Sequence, residues 1–171
     1  VEAIGPLGQP FEWQPGKDAL LVAGGIGVAP MYNLARVMQQ EAKAANVPAS
    51  KITFCYGSRK ASDFMLLDQL AGVTDEVLLA TEDGSRGERG FVTKLVEEQL
   101  SSGAELFVCG PPAMMETAAD AFLALCVPMT NVHYERFDYG VGRGRIDRRR
   151  RFTALAILAT VIAAGFLFSL R

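Results

Sequence analysis

The chain has 171 residues, enough for one compact domain with its own core. Half of its residues are hydrophobic and its net charge is −2, but Arg143–Arg151 holds six Arg against one Asp, so the rest of the chain sums to −7. An acidic body with a short basic collar beside an uncharged apolar run is a membrane pattern. It excludes a nucleic-acid binder, whose basic residues would spread over the folded face.

Val1–Pro15 is rich in Gly and Pro and reads as a loop or inter-domain arm. Nothing at the N-terminus reads as a signal peptide. The opening residues look like mid-structure, so an upstream segment is expected. Ala19–Ala23 is an apolar run of strand length and enters the turn Gly24-Gly25-Ile26-Gly27. Pro30 opens a helix in which Met31, Leu34, Ala35, Met38 and Ala42 share one face, ended by Asn46-Val47-Pro48. Lys51–Tyr56 is a second strand, followed by Gly57-Ser58-Arg59. A short helix is expected over Ser62–Leu70, with Ser62 as its N-cap. Glu76–Thr81 is a third strand, followed by the polar loop Glu82–Gly90 and a helix over Phe91–Leu100. Glu105–Cys109 is a fourth strand, running into Gly110-Pro111-Pro112 and a helix over Ala113–Cys126. Asn131–Phe137 is the fifth.

This alternation predicts an α/β fold with a five-stranded, doubly wound parallel sheet. The strands are nearly continuous apolar runs, which requires cover on both faces. In such a sheet, ligands bind at the carboxyl ends of the strands. The small and polar turn residues collect there. The first turn presents backbone N–H groups and the positive end of a helix to one point, which suits a phosphate. Cys55, Cys109 and Cys126 are separated and His133 is the one histidine, so no metal cluster can be assembled by spacing. An odd number of separated cysteines suits a reducing compartment. Cys55, Cys126 and His133 read as packing residues.

Gly25-Ile26-Gly27-Val28-Ala29-Pro30, Gly57-Ser58-Arg59, Asp83-Gly84-Ser85 and Cys109-Gly110-Pro111-Pro112 with Met114 and Met115 resemble the pyridine-nucleotide domain of the ferredoxin–NADP⁺ reductase superfamily. Within it they are most similar to the electron-transfer subunit of dihydroorotate dehydrogenase and related flavin reductases. The resemblance runs from about Gly5 to Gly142. It implies that Gly25, Ile26, Gly27, Ala29 and Pro30 hold the pyrophosphate, and that Cys109 lies near the nicotinamide. Gly110, Pro111, Pro112 and Met114 would shape that pocket. Glu135 and Phe137, in Glu135-Arg136-Phe137, resemble the segment whose aromatic ring lies against the flavin. Ser58, Arg59, Glu82 and Asp83 would meet the nucleotide. Thr81-Glu82-Asp83 disfavours a 2′-phosphate, whereas Arg59, Lys60 and Arg86 favour one; the balance is read as NAD(H) over NADP(H). The flavin, FAD or FMN, would come from a domain or partner outside this chain. The cysteines of a [2Fe–2S] cluster are absent from Asp138–Arg145, so no cluster is expected here. Trp13 and Tyr32 are placed either against the flavin or in an inter-domain groove.

Phe152–Leu170 contains no charged residue and would span roughly 28 Å as a helix, about the thickness of a bilayer core. Arg148–Arg151 precedes it, which puts the soluble domain on the cytoplasmic side. The expected organisation is an arm over 1–18, a nucleotide-binding reductase domain over 19–138, a basic juxtamembrane segment over 139–151 and one transmembrane helix over 152–170. Two functions are compatible with it. One is a membrane-anchored NAD(P)H-dependent oxidoreductase module that passes hydride to a flavin and electrons to a membrane partner. The other is a non-catalytic accessory subunit that retains the fold.

Overall fold

Strand β1 (Ala19–Gly24) is buried along its whole length, as an apolar run with no alternating polar face requires. The computed structural model describes residues 11–99, 104–124 and 128–135. Among these residues β1 joins β2 (Ile52–Ser58), β3 (Glu76–Thr81), β4 (Glu88–Arg89), β5 (Glu105–Cys109) and β6 (Val132–Glu135) in one sheet of order β4-β3-β2-β1-β5-β6. Every pairing is parallel.

Successive side chains of a strand point to opposite faces, and each face has its own helices. Leu21, Ala23, Phe54, Tyr56, Phe107 and Cys109 pack toward helix α1 (Val28–Ala45) and the short α2 (Leu67–Ala71). Leu20, Val22, Cys55, Leu106 and Val108 pack toward α3 (Val92–Gln99) and α4 (Pro112–Ala124). The chain adds strands outward from β1 through α1 and α2. It then returns through α3 to lay β5 on the other side of β1. The β1/β5 junction is therefore the point where strand order reverses and a crevice opens above the sheet.

The structure corrects the sequence reading in several places. The sheet has six strands, not five. The extra strand, β4, has two residues and pairs with Ala80 and Thr81. The loop folds back because Gly84 and Gly87 take φ of +76° and +71°. The Thr81 hydroxyl donates to the Arg86 carbonyl at 2.8 Å and accepts the Arg86 amide at 3.0 Å. The helix begins at Val28, so Pro30 lies inside its first turn, where a missing N–H costs nothing. The helix expected over Ser62–Leu70 is a 3-10 turn, Ala61–Asp63, followed by extended Phe64, left-handed Leu66 and α2. Extension at Phe64 brings its ring edge-on to Tyr56 with centroids 4.8 Å apart. Asn46 ends α1 in the left-handed conformation, its N–H reaching the Ala42 and Lys43 carbonyls.

The described part of the arm is tied to the amino-end edge of the sheet. Buried Glu105 accepts the Gln14 amide at 2.9 Å, and Phe11 sits edge-on to Phe107 at 5.7 Å. His133 stacks on Phe107 with centroids 4.7 Å apart, its Nε2 3.9 Å from Glu105. Phe137, the basic segment 139–151 and the apolar segment 152–170 lie outside the described residues. Among the described residues no helix is long and apolar enough to cross a membrane. Among them, too, no group of three or more His, Cys, Asp or Glu is placed to hold a metal ion.

Candidate functional site

A cleft of about 630 Å³ opens at the carboxyl edge of the sheet. Its floor is the turn after β1. Gly24 is extended, Gly25 takes φ +55°, and Gly25–Gly27 makes one 3-10 turn into α1. No side chain caps this turn or the start of α1, and no acidic residue lies in the helix's first turn. Among the described residues, its amide groups and the positive end of α1 therefore meet no protein anion there. The first residues of α3 (Val92, Thr93) and α4 (Ala113, Met114) also line the cleft, and neither helix carries an acid in its first turn. Three helix N-termini thus converge on one cavity.

Two turns meet backbone to backbone. A Cβ on Gly27 would overlap the Cys109 carbonyl, and one on Gly110 would come within 3.0 Å of the Gly24 nitrogen. On Gly24 it would lie 2.7 Å from Met114 Sδ and 2.8 Å from Pro111 Cδ. These glycines are required by close approach. Gly25 differs, because nothing lies within 4 Å of the Cβ it lacks. It faces open space in the cleft and needs glycine for its positive φ.

The opposite wall is the loop after β2. Ser58, Arg59, Asp63 and Met65 line it, with Glu82 from the loop after β3. Tyr56 joins this wall to the floor. Its buried hydroxyl donates to the Gly25 carbonyl at 3.3 Å and accepts the Met65 amide at 3.4 Å. Burial pushes its pKa up, and the nearby charge of Asp63 adds to this against the opposing Met65 hydrogen bond. Ile26, Met65 and Phe91 are large apolar side chains exposed in the cleft, at 61%, 46% and 69%.

Seven residues singled out from the sequence line the cleft: Gly25, Ile26, Ser58, Arg59, Glu82, Pro111 and Met114. Gly27 and Gly110 stand behind its wall, holding the turns together. Ala29 and Pro30 lie in the first turn of α1, and Pro112 is the first residue of α4; none of the three lines the cleft. Asp83 does not reach it either. Its carboxylate accepts the hydroxyl and amide of Ser85 at 2.6 and 2.9 Å, and these bonds hold its pKa below the usual carboxylate value. Cys109 is fully buried in the core on the α1 side. Burial, then the charge of Glu135, pushes its thiol up to about 11. Glu135 is its partner on β6. Phe137 lies outside the described residues.

The cleft also contains residues that the motifs did not mark, chiefly Asp63, Met65, Phe91, Thr93 and Thr117. Phe91 precedes the amphipathic helix α3, whose buried face is Val92, Leu95 and Val96. Its exposure, which pattern alone does not reveal, is the signal.

The fold and the cleft define an α/β nucleotide-binding domain whose ligand edge is the β1/β5 switch point. Residues 21–120 match the family model described as oxidoreductase NAD-binding domain, and the chain belongs to that family. It is homologous to electron transfer subunits of dihydroorotate dehydrogenase B (NAD(+)). Identity to that of a Geobacillus species is 34% over 125 residues, covering 71% of this chain and 46% of the relative. Identity to that of Clostridium perfringens is 37% over 123 residues, covering 70% and 46%. Among solved structures, the Amycolatopsis cytochrome P450 reductase superposes with a TM-score of 0.63 at 28% identity, over 78% of this chain and 42% of that one. The chain spans about half the length of the curated relatives it matches.

Proposed function

We propose that the chain is the nicotinamide-nucleotide module of a flavoprotein electron-transfer enzyme, taking NAD(H) in preference to NADP(H). The observation that carries this reading is the turn at Gly25. It offers uncapped amides and the uncompensated end of α1 to a roomy cleft, the arrangement that holds a pyrophosphate. Bound there, the dinucleotide would supply the hydride donor. The protein's part is positional. Gly24, Gly25 and Ile26 face the phosphates, while Gly27 and Gly110 let the β1 and β5 turns close up, with Pro111 and Met114 forming the neighbouring wall. Cys109 is assigned to the nicotinamide side, and Glu135, its partner on β6, is assigned with Phe137 to the side that meets the flavin. The flavin is held by a separate domain or subunit. Support for an electron-transfer role comes from the relatives, which are named electron transfer subunits and a reductase.

The cofactor preference rests on charge. Among the described residues, Asp63 and Glu82 line the cleft with one cation, Arg59. Lys60 and Arg86 do not line it. Two carboxylates against one guanidinium favour a ribose diol over a dianionic 2′-phosphate. Segment 152–170, with Arg148–Arg151 against lipid headgroups, anchors the module with this domain on the cytoplasmic side. That part of the proposal rests on the sequence.

Calorimetric titration of the full chain with NADH and NADPH tests the reading. NADH should bind more tightly, and Glu82→Gln should narrow the gap. A chain that binds neither nucleotide would favour an accessory subunit. Flotation of the full chain with anionic vesicles tests the anchor; recovery in the lipid-free fraction would remove it.

A further inference from the structure

Ser85 lies outside the cleft, yet it holds together the two loops that carry the cleft's charges. These loops leave the adjacent parallel strands β2 and β3. Backbone pairing continues past the strand ends, with the Glu82 amide on the Ser58 carbonyl at 3.1 Å and the Asp83 amide on the Arg59 carbonyl at 3.2 Å. Beyond that point the backbones part, and side chains take over. Ser85 Oγ accepts the Ala61 amide at 2.7 Å and donates to Asp83 Oδ1 at 2.6 Å. The same carboxylate oxygen accepts the Ser85 amide at 2.9 Å. A hydroxyl has one proton to give and can accept at the same time, so Ser85 extends the link between the two loops beyond the Asp83–Arg59 backbone bond. Its bond to Asp83 is charge-assisted and therefore among the stronger kinds.

We propose that Ser85 is a positioning residue that, through Asp83 and Ala61, sets how the cleft discriminates at the 2′ position of the nucleotide ribose. The inference rests on the nucleotide-binding reading above. Ala61 begins the turn that ends at Asp63, two residues after Arg59, and Glu82 leaves the other loop. Arg59, Asp63 and Glu82 line the cleft, whereas Ser85 and Asp83 do not. Any effect of Ser85 on ligand choice must therefore pass through the relative placement of those three charges. Coulomb energy falls with distance. A loop free to swing would weaken both the acceptance of a diol by Glu82 and its repulsion of a phosphate.

The test is titration of the full chain and its Ser85→Ala and Ser85→Thr variants with NADH and with NADPH, beside amide hydrogen exchange at Ala61. In Ser85→Ala, the Ala61 amide should lose protection and NADH affinity should fall about tenfold, the size expected for loss of a charge-assisted bond. The NADH:NADPH preference should move toward one. Ser85→Thr keeps the hydroxyl and should restore both. Wild-type binding with an unchanged preference in Ser85→Ala overturns this inference alone, whether or not the two affinities fall together. A wild-type chain that binds neither nucleotide overturns the reading of the cleft and this inference with it.

Discussion

The α-carbon of Gly27 is seated against the carbonyl of Cys109, so close that no side chain of any size fits between them. This contact joins the turn after β1 to the end of β5 at the point where strand order reverses. Gly27→Ala must displace one backbone or the other. The expected cost is about 1–3 kcal/mol, the range for overpacking, or a fall of roughly 3–10 °C in melting temperature. Gly25→Ala is the contrast. Its methyl meets no protein atom, and the strain of a left-handed alanine is about 1–2 kcal/mol. The methyl also enters the space assigned to the phosphates. Gly25→Ala should therefore lose NADH affinity well beyond its effect on stability. Thermal melting alongside calorimetry separates the two, and equal effects on both readouts would remove the distinction drawn between these glycines.

Tyr56 ties the floor of the cleft to its far wall. Tyr56→Phe keeps the ring against Phe64 and Phe54 but leaves the Gly25 carbonyl and Met65 amide without their shared partner. Both bonds are long, so the net effect should be about 1 kcal/mol, or roughly fivefold in NADH affinity. A binding isotherm that matches wild type would mean that the turn holds its shape without this bridge.

The β1 turn and the parallel sheet were legible because each rests on local sequence: an apolar run, then Gly24-Gly25-Ile26-Gly27, then helical periodicity. Strand β4 was not. Two residues, Glu88 and Arg89, carry no pattern, and their pairing depends on Thr81 bonding the chain at Arg86. Asp83 illustrates a second limit. A carboxylate in a polar loop beside a nucleotide edge reads as a ligand, but Asp83 Oδ1 is engaged within its own loop by the amide and hydroxyl of Ser85. Composition shows the donor and acceptor inventory, whereas only coordinates show which groups are already engaged. Phe91, which no motif marks, likewise shows its exposure only in the fold.

Met65 and Phe91 expose apolar surface into the cleft, and the adenine ring is the apolar part of the proposed ligand. Removing a base–aromatic contact costs about 1–3 kcal/mol, so Phe91→Ala should weaken NADH binding by roughly tenfold. Both side chains are exposed, so Phe91→Ala and Met65→Ala should leave the melting temperature within about 2 °C of wild type. Fluorescence titration with NADH and with AMP reads the first effect. If AMP binding is untouched while NADH binding falls, these side chains contact some other part of the nucleotide.

Among the described residues, two fully buried cysteines, Cys55 and Cys109, predict an alkaline limit to stability. Burial, with smaller contributions from Glu76 and Glu98, pushes Cys55 up to about 12. Burial and Glu135 push Cys109 up to about 11. The ordinary value for each thiol is 9.0. A group whose pKa is raised by folding keeps its proton in the native state and releases it on unfolding, so rising pH favours the unfolded chain. The stability tied to these thiols is fully present below pH 9. It is lost between 9 and about 11 for Cys109, and between 9 and about 12 for Cys55. Melting temperature should fall over that window, and Cys55→Ala should flatten the decline, although a small cavity lowers its starting value. Iodoacetamide should label neither thiol in the native state at pH 8, because the thiolate is the nucleophile and both groups stay protonated and covered. Rapid native labelling at Cys109 would show instead that its thiol opens to solvent, as contact with a nicotinamide would require.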